Sequence, residues 1–142
     1  PRFNTHDISK GVKLMQIDLK DKRFYTEEER IKKFRRELKK LKRIIRDLDE
    51  DKKQLCQKLI ENIADTSVWL DELREIINRD GYVEYYQNGE NQWGTKPSSA
   101  SGLYLNLGKL YNTYLKQFRE LLPESIGGND ELKAFAEEFE TK

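Results

Sequence analysis

The sequence has one cysteine, one histidine and three prolines among its 142 residues. The single cysteine, Cys56, cannot form an internal disulfide, so nothing in the chain calls for an oxidising compartment. It lies on an apolar helical stripe, which predicts a small buried hydrophobic residue. No stretch approaches the ~18 apolar residues that span a bilayer, and the N-terminal residues lack the apolar core of a signal peptide. These absences favour the cytoplasm.

Candidate catalytic and metal-binding residues are also few. His6 and Cys56 alone cannot make a zinc site, and the predicted helical body has no histidine to activate a serine. Residues 89–96, GENQWGTK, approach the phosphate-binding sequence G-x-x-x-x-G-K-[ST], but the last two residues are exchanged and Pro97 follows at once. The true motif needs the lysine directly after the second glycine and a helix running on from it. We therefore expect no enzyme activity, no metal site and no cofactor.

Charge is plentiful and unevenly placed. Hydrophobic residues make up 36% of the chain and charged residues 37%, which is too polar for a large monomeric core, so oligomerisation is expected to supply the missing burial. Residues 1–46 carry 16 Lys and Arg against 7 Asp and Glu, whereas residues 47–142 carry 11 against 19. This asymmetry indicates one end that attracts phosphates and another that repels them or binds a different partner.

The first sustained helical pattern follows a segment without periodicity, residues 1–24, which is predicted to be an extended or partly disordered arm. Thr26 followed by Glu29 is a capping box, and it predicts a helix over residues 26–48. The apolar positions of that helix alternate spacings of three and four, which is typical of a coiled-coil seam. They are Ile31, Phe34, Leu38, Leu41, Ile45 and Leu48.

A second helix is predicted from the acidic cluster at residues 49–51, after a tight corner near Leu48; one continuous rod is the alternative. Gly81 is a candidate for the left-handed residue that ends it. The polar residues 65–67 are a candidate for a kink. The apolar positions are Leu55, Leu59, Ile60, Ile63, Leu70, Leu73, Ile76 and Ile77.

A turn is predicted at residues 88–89, Asn-Gly, between two strand-like arms, so residues 82–96 should form a small hairpin or extended loop. Its aromatic residues are expected to hold the hairpin against the chain's own core, with base stacking or contact with a neighbouring subunit as alternatives. These are Tyr82, Tyr85, Tyr86 and Trp93.

A third helix is predicted between the caps Ser98 and Ser99 and the stop at Pro123. Its stripe consists of Leu103, Leu107, Leu110, Tyr114, Leu115, Phe118, Leu121 and Leu122. The expected fold is thus mostly α: a helical hairpin and a third long helix forming a core and oligomerisation domain over residues 25–123. Residues 124–142 should form a flexible acidic tail, with a hinge at residues 127–128 and a short amphipathic helix.

Basic residues occupy most positions outside the seam of the first helix. The ten candidates for DNA contact are Arg30, Lys32, Lys33, Arg35, Arg36, Lys39, Lys40, Lys42, Arg43 and Arg46, interrupted only by Glu37. Such a run repels itself in the free protein, and counterion release on binding a polyanion relieves that repulsion. The alternative is a solvated face whose long side chains cover the seam.

Five segments, in their order and lengths, resemble the small subunit of phage terminase, which initiates DNA packaging in tailed phages. The resemblance runs from about Thr26 to Pro123, and none of its segments is a catalytic signature. The segments are FYTEEE (24–29), DEDKKQL (49–55), LIENIA (59–64), LDELREIINRDGYVEYYQNGENQWGTKPS (70–98) and LYNTYLKQFRELLP (110–123).

The resemblance implies a non-catalytic adaptor that recognises double-stranded viral DNA in the cytoplasm of the bacterial host and delivers it to the terminase large subunit, with no membrane contact. We expect copies to bury their stripes partly against one another in a homo-oligomeric ring, using Ile31, Phe34, Leu38, Leu41, Ile45, Leu103, Leu107, Leu110 and Tyr114. In the tail, Leu132, Phe135 and Phe139 are candidates for binding the large subunit. The alternative function is a structural coiled-coil module without DNA binding.

Overall fold

The computed structural model describes residues 23–124 and 128–140. Within these residues the secondary-structure elements are α1 (Glu27–Ile44), α2 (Glu50–Asp80), β1 (Val83–Gln87), β2 (Trp93–Pro97), α3 (Ser99–Leu121) and α4 (Gly128–Glu140). The expectation of a mostly helical chain with one small hairpin is confirmed. The predicted arm, apart from its last two residues, lies outside the described residues, as do Gly127 of the predicted hinge and the side chain of Phe139.

The first helix begins where its capping box predicts. The Thr26 hydroxyl accepts a hydrogen bond from the Glu29 N–H at 3.2 Å, and the Thr26 N–H donates to the Glu29 carboxylate at 2.7 Å. The helix ends at Ile44, four residues earlier than Leu48, the expected end. A turn follows, and α2 begins after Asp49, whose carboxylate caps the Lys52 N–H at 2.9 Å. The chain therefore turns a corner here, and the continuous rod is wrong.

The second helix is the central element and runs unbroken for 31 residues. It stays regular through the polar segment 65–67, where the Thr66 hydroxyl donates to the Asn62 carbonyl at 2.6 Å and so meets its own hydrogen-bonding need inside the helix. The helix ends at Gly81, whose φ of 88° is a positive value that glycine adopts without steric cost. Its ψ of 163° makes Gly81 extended, not left-handed helical.

The two strands form an antiparallel hairpin, as the Asn-Gly turn predicts. Gly89 takes a positive φ of 97° in the turn, and the Asn88 N–H donates to the Gln92 carbonyl at 2.7 Å. Tyr86 is paired with Gly94, and its ring covers that glycine so closely that an added Cβ would lie 2.7 Å from the ring. A side chain at position 94 would therefore displace Tyr86.

The core lies where α1 and α3 pack against α2 and α4 packs against α1. Phe118 of α3 is completely buried, and Cys56 is buried as predicted. Burying a side chain such as Phe118 contributes about 1.5–3 kcal/mol, so this cluster is the main source of stability. Its other members are Leu41, Ile44, Ile45, Leu48, Ile60, Ile63, Ala64, Leu70, Tyr111, Leu115, Leu122, Leu132 and Phe135. No helix among the described residues has the length and apolar character needed to cross a membrane.

The aromatic residues of the hairpin are placed differently from the prediction. Tyr85 is 81% exposed and Trp93 is 70% exposed, and Tyr82 and Tyr86 are exposed as well. The expectation that they pack on the chain's own core is wrong. The physical reason is that α2 and α3 bury their apolar stripes against each other, and the hairpin packs mainly within itself.

Candidate nucleic-acid interface on the first helix

The ten basic side chains of the predicted DNA site fall into three groups according to their partners. The first group is held by carboxylates of other elements and starts with Arg30. Its guanidinium donates to both carboxylate oxygens of Glu72 on α2, at 2.8 and 3.0 Å, and to the Tyr25 carbonyl at 2.9 Å. A bidentate pair of this kind is geometrically specific. Arg30 therefore fixes α1 on α2.

Glu72 is the acceptor at the centre of this arrangement. Its carboxylate also accepts the N–H groups of Phe24 and Tyr25, at 3.1 and 3.0 Å. Burial alone would raise the pKa of Glu72, but the hydrogen bonds from Arg30 and from the Tyr25 N–H outweigh it, and the pKa lies below its ordinary value. Glu72 is thus held in its charged form, and it ties the residues before α1 to α2.

Lys33 is held in the same way one turn further on. Its ammonium lies 2.7 Å from Asp71 and 4.4 Å from the centre of the Tyr25 ring, and the Tyr25 hydroxyl donates to the same carboxylate at 3.0 Å. Burial opposes the charge of Lys33, but Asp71 more than compensates, so the pKa of Lys33 is raised. The pKa of Tyr25 is raised by burial and by the Asp71 charge. Lys33 is therefore committed to a structural contact.

Lys40 connects α1 with α4. Its ammonium lies 2.9 Å from Glu138 of α4 and 3.4 Å from Glu37. Glu37 is buried. The burial of the Tyr111 hydroxyl, together with the negative charge of Glu37, raises the pKa of Tyr111 far above its ordinary value. The interruption of the basic run by Glu37 thus has a local reason, since this carboxylate faces the interior beside Lys40.

The second group consists of exposed basic side chains whose ion pairs, among the described residues, are with the next residue in the sequence. Arg36 lies 3.6 Å from Glu37, and Arg46, in the turn after α1, lies 3.3 Å from Asp47. Both basic side chains are more than half exposed. Exposed pairs of this kind contribute between about 0 and 1 kcal/mol. These two residues are consequently available to a stronger anionic partner.

The third group is fully available, and we call it the open stripe. Its members are exposed, and among the described residues none of them forms an ion pair. Four follow one another at spacings of three and four, which places them on one face of α1 over about 15 Å, and the last flanks them. The members are Lys32, Arg35, Lys39, Lys42 and Arg43. The structure thus brings half of the predicted cations into one continuous basic surface.

The carboxylates that separate the open stripe from the other cations were not predicted from the sequence. Asp71 and Glu72 are adjacent on α2 and meet cations that are 38 and 42 residues away in the sequence. No local pattern reports such a contact. The one available signal is that Arg30 and Lys33 are three residues apart, so they share a face of α1.

The residues predicted for oligomerisation are only partly accessible. In α1, Leu41 and Ile45 belong to the chain's own core, whereas Ile31 is exposed and Phe34 and Leu38 are partly buried. In α3, Leu103 and Leu110 are exposed, and Leu107 and Tyr114 are partly buried against the core. Much of the seam is therefore used within one chain.

The two described residues predicted to bind the large subunit are also buried in the core. Leu132 is 1% exposed and Phe135 is buried, because α4 turns both towards the core. A partner can reach these side chains only when α4 leaves α1.

Comparison of the chain with family models, with curated proteins and with solved structures gives no match in any of the three.

Proposed function

We propose that this protein is a non-catalytic DNA-binding adaptor of the kind that the terminase small subunit represents. In this proposal the open stripe contacts the phosphates of double-stranded viral DNA, copies associate into a homo-oligomer, and the assembly delivers DNA to the large subunit in the host cytoplasm. The observation that supports the proposal is the open stripe itself: five exposed cations without an ion pair among the described residues.

Repulsion among like charges on α1 raises the free energy of the unbound protein. Carboxylates balance Arg30, Lys33 and Lys40, but the open stripe has no comparable partner in the part of the chain that the structure describes, so its charges repel one another. A duplex carries one charge per about 1.7 Å of axis, and a stripe of about 15 Å faces several phosphates at once. Release of counterions from DNA then drives binding, and the affinity falls as salt rises.

The test removes four charges of the open stripe, by Lys32→Gln, Arg35→Gln, Lys39→Gln and Lys42→Gln. The matched control removes four other exposed cations on α2 and α3, by Lys58→Gln, Lys109→Gln, Lys116→Gln and Arg119→Gln. Both variants have the same net charge. Binding of a labelled duplex is measured by fluorescence anisotropy over a series of salt concentrations.

We expect the slope of log K against log salt to fall by about 3–4 in the stripe variant, since each phosphate contact contributes about 0.9. The control should keep the slope of the wild type. Equal slopes in both variants would mean that α1 is not the contact surface. Absence of any binding by the wild type at low salt would refute the DNA-binding function.

The second candidate is a structural module that binds only protein. The observation in its favour is the exposed aromatic hairpin, which offers an apolar surface that the chain's own core does not cover. This function predicts an assembled wild-type protein that has no affinity for duplex DNA at low salt.

The proposed contact with the large subunit needs a change in the fold. Leu132 and Phe135 lie in the core, and Glu138 holds α4 to Lys40. We therefore propose that the large subunit, if it uses these residues, competes with α1 for α4.

A further inference from the structure

One face of the hairpin carries no charge. The register pairs Val83 with Pro97, Tyr85 with Thr95 and Gln87 with Trp93, and side chains of directly paired residues lie on the same face of a sheet. All six residues are exposed. In a chain of which 37% is charged, six exposed residues without a charge form an unusual surface. We call these six residues the uncharged face.

The opposite face of the hairpin is satisfied within the chain. There Lys96 lies 3.3 Å from Glu84, and the Tyr86 ring covers Gly94. Among residues 23–124 and 128–140 nothing covers the uncharged face in this way, and Tyr85 and Trp93 are exposed on it. A two-stranded hairpin alone is marginally stable in water, and a contiguous exposed apolar patch marks a contact surface.

Electrostatics indicates that a protein, not a nucleic acid, covers this face. The hairpin carries Glu84 and Glu90 against Lys96, a net charge of −1, so it does not attract phosphates. The basic surface of the protein is on α1. Aromatic side chains on a neutral surface are typical of the buried centre of a protein interface.

We propose that the uncharged faces of two copies of this chain pack against each other, with Tyr85 and Trp93 of one copy against those of its partner. A two-fold contact brings a surface against itself, so a charge near the axis meets its own copy, and a charge elsewhere needs an opposite charge in the matching position. The uncharged face avoids that repulsion completely. It is therefore suited to self-association.

The area agrees with a reversible contact. An aromatic side chain buries about 150–250 Å², so Tyr85, Trp93 and their apolar neighbours offer about 500 Å² per copy. Two copies together then reach about 1,000 Å², the lower limit for a specific interface. We expect a dimer that dissociates on dilution. A larger ring needs a second, heterologous surface in addition.

This inference adds a location to the proposed function, because it names where copies meet, and it rests on that function only for the consequence that DNA contacts multiply. Association itself needs no DNA. The experiment therefore uses the full chain without nucleic acid.

The variant Tyr85→Thr with Trp93→Thr removes both aromatic side chains and keeps residues that favour strands. The control is Leu55→Ser, which removes an apolar side chain that is 69% exposed near the start of α2, about 37 Å along the helix from the hairpin. Sedimentation equilibrium gives the mass of each protein, and circular dichroism confirms that the helices are retained.

We expect the wild type and the control to associate above the chain mass of 16.9 kDa. The double variant should dissociate, with a dimer dissociation constant raised at least about 100-fold, since two central aromatic residues are removed. A wild type that is monomeric at its highest soluble concentration would overturn the proposal. So would a double variant that associates like the wild type.

A second measurement does not depend on removing apolar side chains. Thr95→Cys places a thiol in the middle of the uncharged face, and Lys96→Cys places one on the opposite face; the native Cys56 is buried. A bis-maleimide spanning about 10 Å, the distance between two packed sheets, should link two copies of the Thr95→Cys variant only. Equal linking of both variants, or of neither, contradicts the proposed geometry. If cross-linked dimers of the Thr95→Cys variant failed to bind DNA, the DNA-binding function would be refuted, and the proposed contact between hairpins would still stand.

Discussion

At the scale of single residues, Glu72 and its neighbour Asp71 hold two cations of the first helix in structural contacts. The Glu72 carboxylate accepts four hydrogen bonds, two from the Arg30 guanidinium and one each from the N–H groups of Phe24 and Tyr25. The neighbouring Asp71 holds Lys33. Because these cations are already balanced and partly buried, a polyanion would gain little from them, and the proposed function therefore uses the open stripe as the contact surface.

The variant Glu72→Gln should destabilise the protein by about 1.5–3 kcal/mol at neutral pH, because it weakens hydrogen bonds that involve charged groups. Urea denaturation followed by circular dichroism measures this loss. Glu120→Gln, which changes an exposed carboxylate of α3, is the control and should leave the free energy of unfolding nearly unchanged.

The free energy of unfolding should also depend on pH differently in the wild type and in Glu72→Gln. The pKa of Glu72 is lower in the folded protein than its ordinary value of 4.5, so the unfolded chain binds the proton first. The stabilisation from Glu72 is present above pH 4.5 and is lost as the pH falls through the folded-state pKa. We expect the wild type to lose more stability than Glu72→Gln between neutral pH and this range. Parallel pH profiles would show that Glu72 does not carry the effect.

Local contacts could be predicted from the sequence, and distant ones could not. The caps predicted at Thr26 and Ser98 are confirmed, and Asp49 of the predicted acidic cluster caps α2, because each cap oxygen and the N–H that donates to it are three residues apart. The pair of Arg30 and Glu72 spans 42 residues, and nothing in either segment reports the other. Sequence reasoning therefore proposed ten cations, and only the tertiary contacts separate the open stripe from the structural ones.

At the scale of elements, α4 is an acidic helix packed on a basic one. Its sequence contains five acidic residues and one lysine, whereas α1 contains nine basic and four acidic residues. Leu132 and Phe135 anchor α4 in the core, and Glu138 reaches Lys40 at 2.9 Å. The acidic helix therefore lies beside the open stripe, and we expect it to compete with a polyanion for α1.

Removing one charge tests this competition. Glu138→Gln should raise the affinity for duplex DNA about two- to fivefold at low salt, which is the value of a partly exposed ion pair. The control Glu90→Gln makes the same change of net charge in the hairpin turn and should have a smaller effect. Anisotropy titrations compare the two. Equal affinities would mean that α4 does not oppose DNA binding.

The helices and the hairpin were predicted well from the sequence, but what packs against each of their faces was not. Periodicity and turn residues gave the helices and the hairpin, with α1 ending four residues early. The seam of α1 fits contact within a chain and contact between chains equally well, since both need the same spacing. Alternation in the hairpin likewise indicates a strand but does not say what lies over each face, which is why the exposure of Tyr85 and Trp93 was missed.

At the scale of the whole molecule, the basic surface and the aromatic surface are separate. The open stripe belongs to α1, and the uncharged face belongs to the hairpin, which follows the far end of α2. Near that end, Arg79 lies 5.9 Å from the centre of the Phe24 ring, so the beginning of α1 and the hairpin are at the same end of the helices. A dimer through the hairpins would therefore carry two open stripes.

Because the two surfaces are separate, we expect one variant to lose self-association and the other to lose DNA binding. The hairpin variant, Tyr85→Thr with Trp93→Thr, keeps its stripe, so each chain should retain its salt dependence while the apparent affinity for long DNA falls about 10- to 100-fold through lost avidity. The stripe variant should remain associated and lose DNA binding. Sedimentation and anisotropy on the same samples measure both properties. If the hairpin variant binds long DNA as tightly as the wild type, a single stripe suffices, and association serves some purpose other than avidity.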